Sequence, residues 1–179
     1  TNVEGKKYIA DIIGSLIKDG DYILLDSSTT ALFTVKSIAE KSNITLITNS
    51  IEILLEIPQK NDWRIISTGG EFVRNGLSFA GRQAESVIDE YNVDLAVISC
   101  KGFDMRKGIT DTRDYNAQIK KAFIRSAKKV YLAVDNTKFD QTSFVRFAEI
   151  ADIDAVVTDT EPSDEWKSYL SGNNVELYF

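Results

Sequence analysis

Short apolar runs that stop at clusters of small polar residues, most followed by a stretch of helical period, constrain this chain more than any other feature. The runs are residues 22–25, 45–47, 64–67, 95–99, 130–134, 155–157 and 175–178. Each is long enough for a buried strand and too short for a helix. Segments with apolar residues at helical spacing lie between most of them, at 32–40, 84–91, 117–127 and 164–170. Another opens the chain, with Ile9, Ile12, Ile13, Leu16 and Ile17 on one face and Gly20 as its expected stop. Strands alternating with helices imply an α/β fold, a mostly parallel sheet covered by helices on both faces.

Length and composition narrow the function classes. A chain of 179 residues, 43% of them hydrophobic, reads as a single domain over 1–179 that buries roughly 70% of its unfolded surface. No repeat or low-complexity segment interrupts it, and 58–62 reads as a turn. The formal charge of -6 is spread along the chain, so no basic stripe offers a grip on nucleic acid or anionic lipid. Histidine is absent, which removes the usual general base and the commonest zinc ligand. One cysteine, Cys100, leaves no internal disulfide, and no apolar run approaches membrane length or follows a basic leader. These features point to a cytoplasmic protein with no membrane partner. The opening at Thr1, without an initiator methionine, reads as that of a chain cut from a longer one.

The polar clusters carry the functional signal. They are DSSTT (26–30), TNS (48–50), TGG (68–70), CKGFD (100–104), DNTKF (135–139) and TDT (158–160). In a parallel sheet such strand ends share one edge, and ligands bind outside that edge where the strand order reverses. The longer connections at 69–81 and 101–114 read as irregular loops that cover a ligand. Asp26, Ser27, Ser28, Thr29 and Thr30 offer hydroxyls and backbone N–H groups at an expected helix start, where the helix dipole favours an anion. Ser28 or Thr29 alone as a helix cap accounts for the motif equally well. Thr48, Asn49 and Ser50 read either as ligand contacts or as a turn and cap before Ile51. Gly69 and Gly70 permit close approach of backbone to ligand, or simply a tight turn. Lys101, Gly102, Asp104, Asp135 and Lys138 put ammonium and carboxylate groups on the same rim. Asp135 ends the run VYLAV, which sets it at the sheet edge to accept hydroxyls or to orient Lys138, the preferred phosphate counter-charge. Neither GxGxxG nor a Walker lysine motif is present, so a small phosphorylated metabolite is a better guess than a dinucleotide or nucleoside triphosphate. Cys100 reads as a strand-end packing residue, since no histidine can activate it. Nothing in the spacing of Asp104, Asp111 and Asp135 demands a metal, and no cofactor is implied.

The ordered series DGDYILLDSSTT, ITLITNS, TGGEFVRNGLSFAG, VDLAVISCKGFDMRKGIT, VYLAVDNTKF and IADIDAVVTD resembles the C-terminal sensor domain of DeoR-type bacterial transcription regulators and covers nearly the whole chain. The resemblance implies a three-layer α/β fold like that of ribose-5-phosphate isomerase, glucosamine-6-phosphate deaminase and coenzyme A transferases. It implies further a phosphorylated sugar or related metabolite as effector, a homo-oligomer (dimer or tetramer), and control of carbohydrate genes, usually as a repressor. DNA would be met only by an N-terminal winged helix-turn-helix that this sequence lacks. Asp26–Thr30 match the family's D-S-G-T-T loop with Ser28 in the glycine position. Thr48, Asn49, Ser50, Gly69, Gly70, Asp135, Lys138 and Phe139 match directly, and Lys101 stands where an acidic or small residue is usual. Tyr115, Asn116 and Gln118 precede Lys120 where relatives often carry glutamates. Amides cannot act as the base that sugar-phosphate isomerisation needs, which leaves Asp104 and Asp135 as candidate bases; an isomerase or deaminase is therefore the second reading, and an oligomerisation module with a degenerate pocket the third.

Overall fold

Every one of the seven apolar runs becomes a strand of one parallel sheet. A computed structural model describes residues 2–58 and 61–179; the turn expected at 58–62 falls partly on residues 59 and 60, outside the described residues. The chain runs α1 (Val3–Leu16), β1 (Tyr22–Leu25), α2 (Thr29–Ser37), β2 (Thr45–Thr48), α3 (Ile51–Glu56), β3 (Arg64–Ser67), β4 (Glu71–Val73), β5 (Ser78–Ala80) and α4 (Arg82–Asp89). It continues β6 (Val93–Ile98), β7 (Gly102–Asp104), β8 (Gly108–Asp111), α5 (Asp114–Ser126), β9 (Ala127–Ala133), a 3₁₀ turn (Asn136–Lys138), β10 (Val145–Ala148), β11 (Ala155–Val157), α6 (Asp164–Gly172) and β12 (Glu176–Tyr178). The main sheet has the order β12-β11-β9-β6-β1-β2-β3. From β1 the chain winds outward through β2 and β3, and from β6 it winds the other way through β9, β11 and β12. The reversal therefore lies between β1 and β6, which pair in parallel register with Ile23 opposite Leu95 and Leu25 opposite Val97.

Alternation along each strand divides the core between the two faces. Ile23 and Leu25 pack with Ile9, Ile13 and Ile17 of the first segment and with Ala31 and Val35 of α2. Leu24, between them, packs on the opposite face with Ala84 and Ile88 of α4, Phe123 of α5 and Leu170 of α6. Both faces are thus apolar, as a sheet covered on both sides requires. Four of the six helices among the described residues start where short side chains satisfy free N–H groups: Asn2 accepts from Gly5 N, Ser28 from Ala31 N, Ser50 from Ile53 N and Ser163 from Trp166 N. The first helix ends at Leu16, before the expected stop at Gly20, because Ile17 turns extended to fill the core beneath it.

The two connections expected as irregular covering loops are β-structure instead. Residues 71–80 form the antiparallel hairpin β4-β5, and β7-β8 pair antiparallel, with β10 added at the β8 edge. Three- and four-residue strands are too short for alternation to show in a sequence.

A cleft at the switch point of the sheet

Outside the carboxyl ends of β1 and β6 lies a cleft of about 400 Å³. Asp26, Ser27, Ser28, Thr29, Thr30, Lys101, Asp135 and Lys138, named above from sequence, all line it. Asp26 builds its floor. One carboxylate oxygen accepts from Ser28 N at 3.0 Å, and the other accepts from Ser99 N at 2.8 Å and Ser99 Oγ at 3.0 Å. The loops after the two diverging strands are thereby tied together across the switch point. Most of the acceptor capacity of Asp26 is consumed in this way, so it shapes the cleft more than it faces a ligand.

The start of α2 opens into this cleft. Ser28 caps the helix through Ala31 N at 3.1 Å, while the amides of Thr29 and Thr30 find no partner among the described residues. Capping by Ser28 and an anion site formed by its neighbours therefore coexist. Free first-turn N–H groups, adjacent hydroxyls and the helix dipole together favour negative charge.

Asp135 and Lys138 come from the 3₁₀ turn after β9. One oxygen of Asp135 accepts from the backbone and hydroxyl of Thr137, which fixes the turn. The other oxygen has no hydrogen-bond partner among the described residues, which leaves it free to accept a hydroxyl. Phe139 anchors the turn from beneath, with ring centroids 5.4 Å from Phe103 and 5.0 Å from Trp166.

A buried ion pair under the cleft escaped the sequence reading. Lys120, only 7% exposed, donates to Asp111 Oδ2 at 2.6 Å and to Ser99 O at 2.8 Å, and its ammonium lies 4.0 Å from Asp26 Oδ2. Burial opposes ionisation of Asp111, but the Lys120 ammonium and a hydrogen bond from Thr112 N outweigh it, and the carboxyl stays below its ordinary pKa. The group Asp26, Lys120 and Asp111 therefore carries two acidic residues against one ammonium. Lys6, Arg113, Tyr115 and Asn116 also line the cleft and were not singled out as site residues. Lys120 left one trace in the sequence: it sits on the buried stripe of α5 between Ala117 and Phe123.

The remaining residues of the expected site lie outside the cleft lining. Thr48 donates to Leu25 O at 2.8 Å and accepts from Ser50 N; Ser50 caps α3; and Asn49 Nδ2 straps the hairpin by donating to Phe79 O at 3.0 Å. Gly69 and Gly70 turn the chain from β3 into the hairpin, and a Cβ on Gly70 would come within 2.7 Å of Ala80 O. Gly102 is needed for a similar reason, since a Cβ there would meet Gln141 O at 2.5 Å. Asp104 closes the β7-β8 turn, and hydrogen bonds from Lys107 N and Arg106 N, both 2.8 Å, hold its carboxyl below the usual range. Cys100 lines the cleft but is buried, and burial, only partly offset by Lys120, pushes its thiol up to about 12.

This geometry can hold an anionic group at the start of α2, with Lys138 and Lys101 as counter-charges and Asp135 as a hydroxyl acceptor. Comparison with known proteins agrees with the architecture. The family model described as the DeoR C terminal sensor domain matches residues 1–160. A helix-turn-helix transcriptional regulator of Bacillus subtilis, YulB, is 37% identical over 89% of this chain and 62% of its own length. The transcriptional repressor AccR of Agrobacterium fabrum is 34% identical over 87% of this chain and 60% of its own. The glycerol-3-phosphate regulon repressor of Escherichia coli is 26% identical over 99% of this chain and 70% of its own. The chain thus spans about three fifths of the first two of these relatives. Among solved structures, ribose 5-phosphate isomerase A of Methanocaldococcus jannaschii shares the fold at a TM-score of 0.54 and 18% identity, covering 78% of this chain and 55% of that one.

Proposed function

Since the chain belongs to the DeoR C-terminal sensor-domain family, we propose that its switch-point cleft binds the effector of a regulator of carbohydrate genes, and that this effector carries a phosphate. The observation that carries the reading is that Thr29 and Thr30, whose amides have no partner among the described residues, line one cleft together with Lys138 and Lys101. Phosphate would sit at the start of α2 against Lys138, and a ligand hydroxyl would meet the free oxygen of Asp135. Asp26, Lys120 and Asp111 hold the floor rigid beneath them. The glycerol-3-phosphate regulon repressor among the relatives supports a phosphorylated ligand class.

The cleft senses rather than catalyses. The relatives are transcriptional regulators, and the carboxylates of Asp26 and Asp111 are tied by hydrogen bonds, so that Asp135, with one oxygen held by Thr137, is left as a hydroxyl acceptor rather than one of a pair of catalytic acids. DNA contact is assigned to a helix-turn-helix part of the regulator outside this sequence, a reading supported by the greater length of the relatives and by the acidic charge. Large apolar side chains left exposed, Leu55, Phe72 and Phe144 among them, support assembly of several copies. Effector then acts by binding one arrangement of those copies better than another, since a ligand shifts an equilibrium only through such a difference.

The test is a thermal-shift screen against matched phosphorylated and free sugars, with turnover assayed on each hit. A ligand at roughly a hundredfold above its Kd contributes about 2.7 kcal/mol. Stabilisation by phosphosugars alone, without turnover, is the expected result; steady turnover would replace the sensor with an enzyme.

A further inference from the structure

The 3₁₀ turn that brings Asp135 and Lys138 to the cleft is held in two unlike ways. From beneath, Phe139 is packed against Phe103 and Trp166, and Asp140 N donates to Phe103 O at 2.8 Å. From the side, Asn136 N donates to Asp159 Oδ1 at 2.8 Å. The second oxygen of that same carboxylate accepts from Asn2 Nδ2 at 2.6 Å, and Asn2 is the residue whose side chain caps α1 through Gly5 N at 3.0 Å. One carboxylate thus spans from the turn to the first turn of α1. Gly5 makes room for it, because a Cβ at that position would lie 2.4 Å from both Asn2 Nδ2 and Asp159 Oδ2. One residue further on, Lys6 lines the cleft itself.

We propose that Asp159 is a positioning residue that ties the ligand-facing turn to the start of α1, so that occupation of the cleft is reported at that end of the chain. Its use as a signal rests on the effector reading above; the mechanical tie does not. The aromatic anchor buries large rings, whereas the Asp159 link consists of partly exposed hydrogen bonds, each of small net worth. When the turn moves toward a bound anion, the aromatic anchor stays in place while the Asp159 carboxylate shifts with Asn136 N and carries the Asn2 cap of α1 with it.

The ligand-free test perturbs the helix and reads the turn. Gly5→Ala changes no residue of the turn, is compatible with helical backbone, and pushes first on the side chains of Asn2 and Asp159, which hold the three atoms nearest to the added Cβ. The expected result is a shifted Asn136 amide resonance that exchanges with solvent roughly tenfold faster, the lower factor for one hydrogen bond to a charged group. An Asn136 amide indistinguishable from wild type would overturn the tie. The second arm titrates inorganic phosphate into Lys6→Ala, which removes the direct route from cleft to helix. There the Gly5 amide is expected to move with the Thr29 and Thr30 amides at one midpoint, and to stop moving when Asp159→Ala is added. Continued movement of Gly5 in the double variant would contradict the relay. Phosphate that leaves Thr29 and Thr30 unmoved would count against the effector reading, while the Gly5→Ala result decides the tie by itself.

Discussion

Two stretches of the same sheet edge, built from the same residue types, have opposite fates. After β1, the loop of Asp26–Thr30 caps a helix and still leaves first-turn amides and hydroxyls open to a cleft. After β2, Ser50 also caps a helix, but there Thr48 is spent on the Leu25 carbonyl, Ser50 on the start of α3 and Asn49 Nδ2 on the β4-β5 hairpin, which leaves the buried Asn49 Oδ1 as the one side-chain atom of the three without a partner among the described residues. Polar side chains at a strand end do not by themselves make a site. Position relative to the reversal of strand order does, because only there do neighbouring connections depart to opposite faces and leave a gap between them.

Substitutions that separate structural from ligand-facing roles probe this contrast. The largest effect is expected at the floor of the cleft. Lys120→Met leaves the buried Asp111 and Asp26 carboxylates without their cation and costs about 3–5 kcal/mol in urea unfolding; a loss below about 1 kcal/mol would mean that the pair is solvated. On the spent side, Thr48→Val strands the Leu25 carbonyl and the Ser50 amide and costs about 2 kcal/mol, with no change in phosphate binding by calorimetry. On the open side, Ser28→Ala costs about 1 kcal/mol as a lost cap and also weakens phosphate binding. Equal binding in both variants would erase the distinction between the two loops.

A smaller effect concerns acid. The folded pKa of Asp111 lies below its unfolded value, so the stability it contributes is complete above about pH 4, the ordinary value for an aspartate. That stability is lost as pH falls through the lower folded value. Asp111→Asn should therefore unfold less steeply with acid than wild type below about pH 4, as read by circular dichroism. Cys100, whose thiol is buried and raised to about 12, should resist iodoacetamide at pH 8 in the folded chain and react once urea unfolds it.

The main sheet was legible because each of its strands is an apolar run flanked by turn residues, from Tyr22–Leu25 to Glu176–Tyr178. The hairpins were not, since the β4 run Glu71–Val73 is three residues long with two of them exposed, and its pairing with β5 is a tertiary fact. About half of the expected site residues line the cleft, those from the loops after β1, β6 and β9. Asp104 and the β2 and β3 loops were included because a sequence shows that a residue follows a strand, not where that strand lies in the sheet. Asp111 and Lys120 were left out for the converse reason: the chemistry joins positions 26, 111 and 120, which no local pattern connects.

Recognition of a phosphate by the switch-point cleft through the start of α2 and Lys138 can be measured by calorimetric titration of a phosphosugar and its unphosphorylated parent into wild type and Lys138→Ala. A hydrogen bond to a charged group is worth roughly 1.5–3 kcal/mol, so the phosphosugar should bind the variant about 10- to 100-fold more weakly, with the weak binding of the parent sugar unchanged. Equal losses for the two ligands, or no loss for either, would contradict it.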